Sequence, residues 1–179
     1  MPLLLLAALL SAPAHAITQK QVGPYLELGL GGGGARSGPL QGSVGGHLST
    51  GLWAGTYDDA YAFGRYWAIG LTGRGSYLIA TGALEVAPML ELRRGLDVFV
   101  ANPAPFLAVG PALVVDDGTA LGLTARGGLA LKWRKHRFWG ITFRFEGGVD
   151  VFDSAVSPTF GVFVGGGFAR PSREMPKLK

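Results

Sequence analysis

The sequence contains no cysteine, and only 16% of its 179 residues are charged. An exported protein without cysteine has no disulfides, which excludes the small secreted domains that depend on them. The scarcity of charge, beside 48% hydrophobic residues, excludes an intrinsically disordered chain. With three histidines and no cysteine, the ligands for a zinc site are lacking, so we expect no metal and no other cofactor.

A continuous basic surface is lacking as well, although the formal net charge is +4. The basic residues are scattered among apolar ones, with one exception. That single cluster comprises Lys132, Arg134, Lys135 and Arg137. Because nucleic-acid binding needs a continuous basic face, nucleic acid is excluded as a partner.

The longest apolar stretch cannot form a membrane-spanning helix. The segment from Val98 to Val115 has the length of such a helix, but Pro103, Pro105 and Pro111 lie within it. Proline removes a backbone donor and clashes with the preceding turn of a helix. We therefore expect a turn followed by a strand that begins near Ala104. Pro111 is unfavourable even there, since a strand paired on both sides rarely tolerates proline.

The N-terminus has the features of a secretory signal peptide. Pro2 to Leu10 form an apolar run, and the small residues Ala14 and Ala16 precede Ile17. Signal peptidase recognises this arrangement, and about 12 apolar residues are too few for a membrane span, which needs about 20. We expect residues 1–16 to be a signal peptide and the mature chain to begin near Ile17.

What the sequence does contain is a strict two-residue alternation, which is clearest from Leu121 to Val151. Large apolar residues occupy every second position on both sides of the basic cluster, and small or charged residues lie between them. Successive side chains of a strand point to opposite faces, so this alternation indicates β-strands. A helix would instead bury Arg144 beside Phe143.

The same alternation recurs along the chain and predicts an all-β protein with eight antiparallel strands. Turn-rich segments such as 116–118 and 154–158 separate the strands. Gly45, Gly46 and Gly51 weaken the second strand. The expected strands lie near residues 23–31, 41–54, 65–78, 83–93, 104–115, 120–133, 138–151 and 158–169.

The two faces of these strands differ in a way that indicates a transmembrane barrel. Large apolar residues suit a lipid-facing exterior, and small residues with occasional charges suit the narrow interior of an eight-stranded up-and-down barrel. The interior set is charge-balanced, so we expect ion pairs that seal the lumen. Its members are Glu27, Glu85, Glu91, Glu146 and Asp150 with Arg74, Arg93, Arg126, Lys132 and Arg144.

Aromatic residues cluster near two of the connections between strands. Amphipathic rings favour the boundary between membrane and water, and both connections fall on the periplasmic side if the N-terminus lies there. Lys132 to Arg137 then form a basic periplasmic turn. The aromatic residues are Trp53, Tyr57, Tyr61, Tyr66 and Trp67 at one connection and Trp133, Phe138 and Trp139 at the other.

The combination of signal peptide, alternating strands, glycine-rich interior and aromatic boundaries resembles the OmpA/OmpX-like family of small outer-membrane β-barrels. The resemblance covers residues 17–169 and implies a location in the outer membrane of a Gram-negative cell envelope. Family members commonly end on an aromatic residue, whereas here Phe168 precedes a polar, basic tail at residues 170–179. The outer connections are also short, which argues against long extracellular binding loops.

Two short motifs could carry chemistry. Gly29 to Gly34 matches the dinucleotide-binding pattern G-x-G-x-x-G, but Ala35 to Pro39 cannot form the helix that this site requires, so we expect a flexible loop. His47 and Ser49 lie on one strand face, roughly 7 Å apart and too far for a direct hydrogen bond. They resemble the His-x-Ser of outer-membrane lipid A deacylases, with Glu27 on the neighbouring strand. We interpret them as polar residues that fill the lumen, and we expect no catalytic residue.

The sequence thus predicts an outer-membrane barrel with a structural or protein-interaction role, no open pore and no enzymatic activity. Its partners are expected to be the lipid bilayer and a periplasmic or envelope protein, which the basic turn and the basic tail would contact. Two alternatives stay open. One is a soluble periplasmic carrier of a lipid or apolar ligand, similar to lipocalins, and the other is a lipid A-modifying hydrolase of the outer membrane that uses His47 and Ser49.

Overall fold

The computed structural model describes residues 18–36, 40–58, 63–98, 101–134, 139–153 and 155–169. Within these ranges the chain forms eight β-strands, each of which overlaps one expected strand, so the all-β prediction is confirmed. No helix in these ranges is long and apolar enough to cross a membrane. The strands are β1 (Thr18–Arg36), β2 (Leu40–Asp58), β3 (Phe63–Leu78), β4 (Leu84–Val98), β5 (Ala101–Val115), β6 (Thr119–Arg134), β7 (Trp139–Phe152) and β8 (Ala155–Ala169).

The eight strands form a closed, antiparallel, up-and-down barrel. Each strand pairs with the next one in sequence, and β8 pairs back with β1. Following register partners once around the barrel from Gly23 leads to Gly33 on the same strand, a stagger of ten residues. With about 3.3 Å per residue and about 4.8 Å between strands, this stagger tilts the strands by about 40° from the barrel axis. Closure leaves no free sheet edge, as hydrocarbon surroundings require.

Short connections join the strands at both ends of the barrel. β1 begins and β8 ends at one end, which we call the terminal end, and β2, β4 and β6 also end there. At the opposite, distal end at most five residues separate consecutive strands. The turn between β3 and β4 contains Gly82 at φ 76°, a left-handed conformation that suits glycine. The expectation of short outer connections is therefore confirmed.

Bulky apolar side chains cover the exterior of the barrel. Every strand exposes at least three large hydrophobic residues, and Leu30, Leu107 and Leu121 are 72%, 68% and 70% exposed. Soluble monomers rarely expose contiguous apolar patches beyond about a few hundred Å², so an apolar surface around the whole barrel is a lipid-facing surface. The side chains between these residues point into the lumen, where most are buried, as the alternation predicts.

The expectation of a flexible loop at Gly29–Gly34 is wrong. These residues lie within β1, where they pair with β2 on one side and with β8 on the other. A Cβ atom on Gly31 or Gly33 would collide with the backbone carbonyls of Val162 and Phe160 on β8. The absence of side chains at Gly31 and Gly33 therefore permits the close approach of the two strands that close the barrel.

The fifth strand begins three residues before the predicted Ala104, because β5 starts at Ala101 and contains Pro103, Pro105 and Pro111. The ladder between β5 and β6 is continuous. The ladder between β4 and β5 is interrupted at two places. One is around Pro88 of β4 and Pro111 of β5, and the other includes Pro103 and Pro105 of β5. β5 tolerates its prolines because the backbone donors that they lack all fall on the side that faces β4, where the ladder is interrupted.

The predictions for the two ends of the chain concern residues that the structure does not describe. The signal peptide at residues 1–16 and the basic tail at residues 170–179 lie outside the described residues. Both stay predictions.

Labelling of single-cysteine variants tests which face contacts lipid. The chain has no cysteine of its own, so each variant reports one position. We expect Leu129→Cys, Phe143→Cys and Val162→Cys to react with a thiol reagent confined to the bilayer. Ala130→Cys is the matched control, because Ala130 follows Leu129 in β6 but is only 3% exposed and lies in the lumen. Labelling of Ala130→Cys with protection of the other three would reverse the assignment of the faces.

Candidate functional site

The ten charged residues that the sequence assigns to the interior point into the lumen of the barrel. Five carboxylates and four arginines are each at most 7% exposed, and the tenth expected member, Lys132, is half-buried. The alternation of the sequence therefore assigned these ten charges to the correct face. The nine buried residues are Glu27, Glu85, Glu91, Glu146, Asp150, Arg74, Arg93, Arg126 and Arg144.

Six of these side chains form one alternating series of acids and bases, which we call the six-residue chain. In order, its members are Glu27, Arg93, Glu91, Arg144, Glu146 and Arg74. Glu91 lies near the middle and accepts hydrogen bonds from Arg93 and from Arg144, the latter at 2.7 Å. Arg144 also donates to Glu146 at 3.0 Å, and Glu146 Oε1 lies 2.9 Å from Arg74 Nη1. The six-residue chain links β1, β3, β4 and β7, and its three acids balance its three bases.

The other three buried charges form a separate cluster nearer the distal end. Arg126 of β6 donates from Nη2 to Glu85 of β4 at 3.1 Å and to Asp150 of β7 at 2.8 Å. This three-residue cluster carries two acids and one base. Together the two groups give each of the five buried carboxylates an arginine partner, which buried charges require.

Aromatic rings support every arginine of the six-residue chain. A guanidinium over a ring face gains a cation–π interaction, which is strongest where water is excluded. The pairs are Arg144 over Phe106, Arg93 over Tyr25 and Arg74 over Phe163, at 3.7, 5.0 and 5.7 Å from the guanidinium carbon to the ring centroid. The sequence analysis missed Phe106 and Phe163, because apolar residues flank both. Their positions in the two-residue alternation could have identified both as inward-facing residues.

Lys132 extends towards the acidic start of the six-residue chain. A Cβ atom built on Gly167 would lie 3.2 Å from Glu27 Cγ and 3.6 Å from Lys132 Cε, so both side chains reach the space beside this glycine. Gly167 therefore leaves the space in which a base from β6 approaches an acid from β1. The position of the Lys132 side chain beside Gly167 places the tenth expected charge in the lumen, as the sequence analysis predicted.

Interior glycines make room for the large side chains of neighbouring strands. A Cβ atom on Gly29 would lie 3.0 Å from Nδ1 of His47, and one on Gly95 would collide with the ring of Tyr66. A narrow barrel holds arginines and aromatic rings only where the facing positions are empty of side chain. The interior glycines therefore provide the space that the packed arginines and aromatic rings occupy.

His47 and Ser49 lie in the lumen, as expected of a polar pair that fills space. They are 4% and 0% exposed. The Ser49 hydroxyl is 2.6 Å from Thr72 Oγ1, and the His47 ring packs edge-on against Phe163 at 5.2 Å between centroids. A deacylase would have to present this serine to lipid, whereas the fold surrounds it with lumenal side chains.

The aromatic boundary is confirmed in part. Trp67, Trp133 and Trp139 are 52%, 52% and 45% exposed on the exterior near the terminal end. Trp53 and Tyr66 instead point into the lumen, where their rings meet edge to face at 6.3 Å, so their assignment to the lipid boundary is wrong. The alternation explains the difference, because Tyr66 and Trp67 are consecutive and must point to opposite faces. The other expected members, Tyr57, Tyr61 and Phe138, lie outside the described side chains.

The ion pairs in the lumen cross-link the strands of the barrel. Its carboxylates are bound by arginines, and the described residues include no group of three or more His, Cys, Asp or Glu side chains that could hold a metal ion. What the arrangement does is to join strands that are far apart in sequence and to fill the interior with paired charge.

Replacing the central acid tests how much the six-residue chain stabilises the barrel. Glu91→Gln keeps the volume of the side chain but leaves Arg93 and Arg144 without their shared carboxylate. We expect the free energy of unfolding to fall by about 3 kcal/mol or more, since removing one partner of a buried ion pair leaves uncompensated charge. Urea unfolding in phospholipid vesicles measures it. Asp116→Asn, at an exposed turn residue, is the control and should stay within about 0.5 kcal/mol of the original. Equal stability of the two variants would contradict the structural role.

Comparison with solved structures finds barrels of the same architecture. Neisserial surface protein A (NspA) matches with a TM-score of 0.50 and 14% sequence identity, over 81% of this chain and 96% of that chain. Two structures of Ail, the attachment invasion locus protein of Yersinia pestis, match with TM-scores of 0.45 and 0.41. One of the two is in complex with the heparin analogue sucrose octasulfate. Both have 11% identity, over 84% of this chain and 99% of the other. No protein-family model and no curated protein sequence matches the chain.

Proposed function

We propose that this chain, a small eight-stranded outer-membrane barrel with the fold of the OmpA/OmpX-like proteins, is a sealed structural or protein-interaction element of the cell envelope. The filled lumen is the observation that carries the proposal. Nine charged side chains at most 7% exposed, backed by inward-pointing aromatic rings, occupy the space that a pore would need. Eight strands leave an interior that side chains are able to fill.

The proposed interaction surface lies at the terminal end, which we assign to the periplasm. The connection that contains Lys135 and Arg137 joins two strands at this end, and the basic tail at residues 170–179 follows β8 there. We propose that these basic segments contact an acidic periplasmic or envelope protein. The connections are short at both ends of the barrel, so the choice of this end rests on the basic residues of the connection and the tail.

The carrier alternative conflicts with the distribution of polarity. A soluble carrier of apolar ligands presents polar residues outside and apolar residues inside. This barrel has the reverse arrangement, with Leu30 and Leu121 exposed and Arg126 and Arg144 buried. The membrane-embedded interpretation therefore accounts for the side chains better.

A conductance measurement in planar bilayers tests whether the lumen is sealed. We expect no large, stable, open channel from the unmodified protein. The double variant Glu91→Ala/Arg144→Ala removes one acid and one base together, so it empties part of the lumen without changing the net charge, and we expect it to conduct more. Arg94→Ala, which removes charge from the exterior, is the matched control and should leave the conductance unchanged. A stable open channel in the unmodified protein would refute the proposal.

A substitution at Ser49 tests the hydrolase alternative. We expect Ser49→Ala to leave the acylation of lipid A unchanged, because the hydroxyl is buried and bonded to Thr72. Mass spectrometry of lipid A from cells that produce each form is the measurement, with cells lacking the protein as the reference. The cost to stability should be about 1 kcal/mol for the lost hydrogen bond. An acylation difference that depends on the protein and disappears with Ser49→Ala would establish the hydrolase.

A further inference from the structure

We propose that the exterior of the barrel near the terminal end binds the headgroup of an anionic phospholipid, through Arg94 and Trp67 with Arg65 beside them. The site is separate from the lumen. It would exist whether or not the barrel is sealed, so it stands independently of the proposed function.

The centre of the site is a pair of side chains on neighbouring strands. Trp67 of β3 and Arg94 of β4 are register partners, and both point outward because their neighbours Ala68 and Arg93 are buried in the lumen. Trp67 is 52% exposed, and the guanidinium carbon of Arg94 lies 5.3 Å from its ring centroid. This cation–π contact holds a positive charge on the outer surface of the barrel.

A second arginine lies on the same face. Arg65 precedes Trp67 by two residues and is the register partner of Leu96, so it occupies the position diagonal to Arg94. Diagonal positions on neighbouring strands lie about 7–8 Å apart, within reach of long side chains. Arg65, Trp67 and Arg94 therefore lie on the same exterior face of the sheet.

The depth of the site matches the phosphate level of a bilayer. The next exterior pair towards the middle of the barrel is Ile69 and Leu92, which are 55% and 46% exposed. Arg94 and Trp67 thus lie on the terminal side of this apolar pair, and Arg65 and Leu96 form the following pair. An exterior arginine is unfavourable at the bilayer centre, but its cost falls to nearly nothing at the interface, where indole rings also prefer to lie.

Phosphate is the group that this arrangement recognises best. The planar guanidinium binds phosphate oxygens in a bidentate manner, and two such groups favour a lipid whose headgroup carries net negative charge. Ile69 and Leu92 would contact the acyl chains of the same lipid. The exposed charges at the distal end include Asp116, Asp117 and Asp153. With the terminal end in the periplasm, the bound lipid belongs to the inner leaflet.

Native mass spectrometry of the full chain in detergent tests the site. The probes are phosphatidylglycerol, which is anionic, and phosphatidylethanolamine, which is zwitterionic. We expect the unmodified protein to retain phosphatidylglycerol about tenfold more tightly, and Arg94→Ala to reduce its retention by about fivefold to tenfold. Arg94→Lys should keep part of the effect, because it keeps the charge without the planar fork. High salt should weaken the retention.

Trp139→Phe is the matched control, because Trp139 is an exposed boundary tryptophan paired with Phe168 rather than with an arginine. It should retain phosphatidylglycerol normally. Heat-modifiable migration in detergent gels checks that each variant folds, and Arg65→Ala provides a second variant should Arg94→Ala fail to fold. Equal retention of the two lipids by the unmodified protein would overturn the proposal. So would undiminished phosphatidylglycerol binding in the folded arginine variants.

Discussion

The structure depends on one constraint, which is that backbone donors and acceptors in hydrocarbon must be paired within the protein. A sheet meets this requirement only by closing, and the ladder between β8 and β1 closes it. Closure divides every strand into an outward and an inward face, because successive side chains alternate. The outward face becomes apolar, and the inward face receives every charge that the strands carry between the boundaries.

Closure also explains why the lumen is charged and small at once. The interior of an eight-stranded barrel is narrow, so arginine and glutamate side chains enter only where glycine or alanine stands opposite, as Gly29 does for His47. Once inside, the charges need partners, since an isolated buried charge is far costlier than a paired one. The six-residue chain meets both demands. It fills the space, and it joins β1 with β4 and β7, which are not neighbours in the barrel.

Much of the fold and of the lumenal site was predictable, because both follow from alternation. The alternation of side chains along a strand is a local property, so it identified Glu91, Arg126 and Arg144 as interior residues without any knowledge of their partners. The two expectations about the strands that differ from the fold have a common cause. Glycine and proline disfavour isolated strands, but in this barrel the run at Gly29–Gly34 permits close strand approach, and the prolines of β5 share one interrupted seam.

The sequence alone determined which side chains face lipid and which face the lumen, since a period of two fixes the face of every residue in a strand. Only the tertiary structure decided which charges meet. Glu91 could have paired with any interior arginine, and the stagger of ten residues brings it to Arg144, 53 positions away. The same register sets Arg94 against Trp67 on the exterior. Register depends on how all eight strands close together, and no local pattern encodes it.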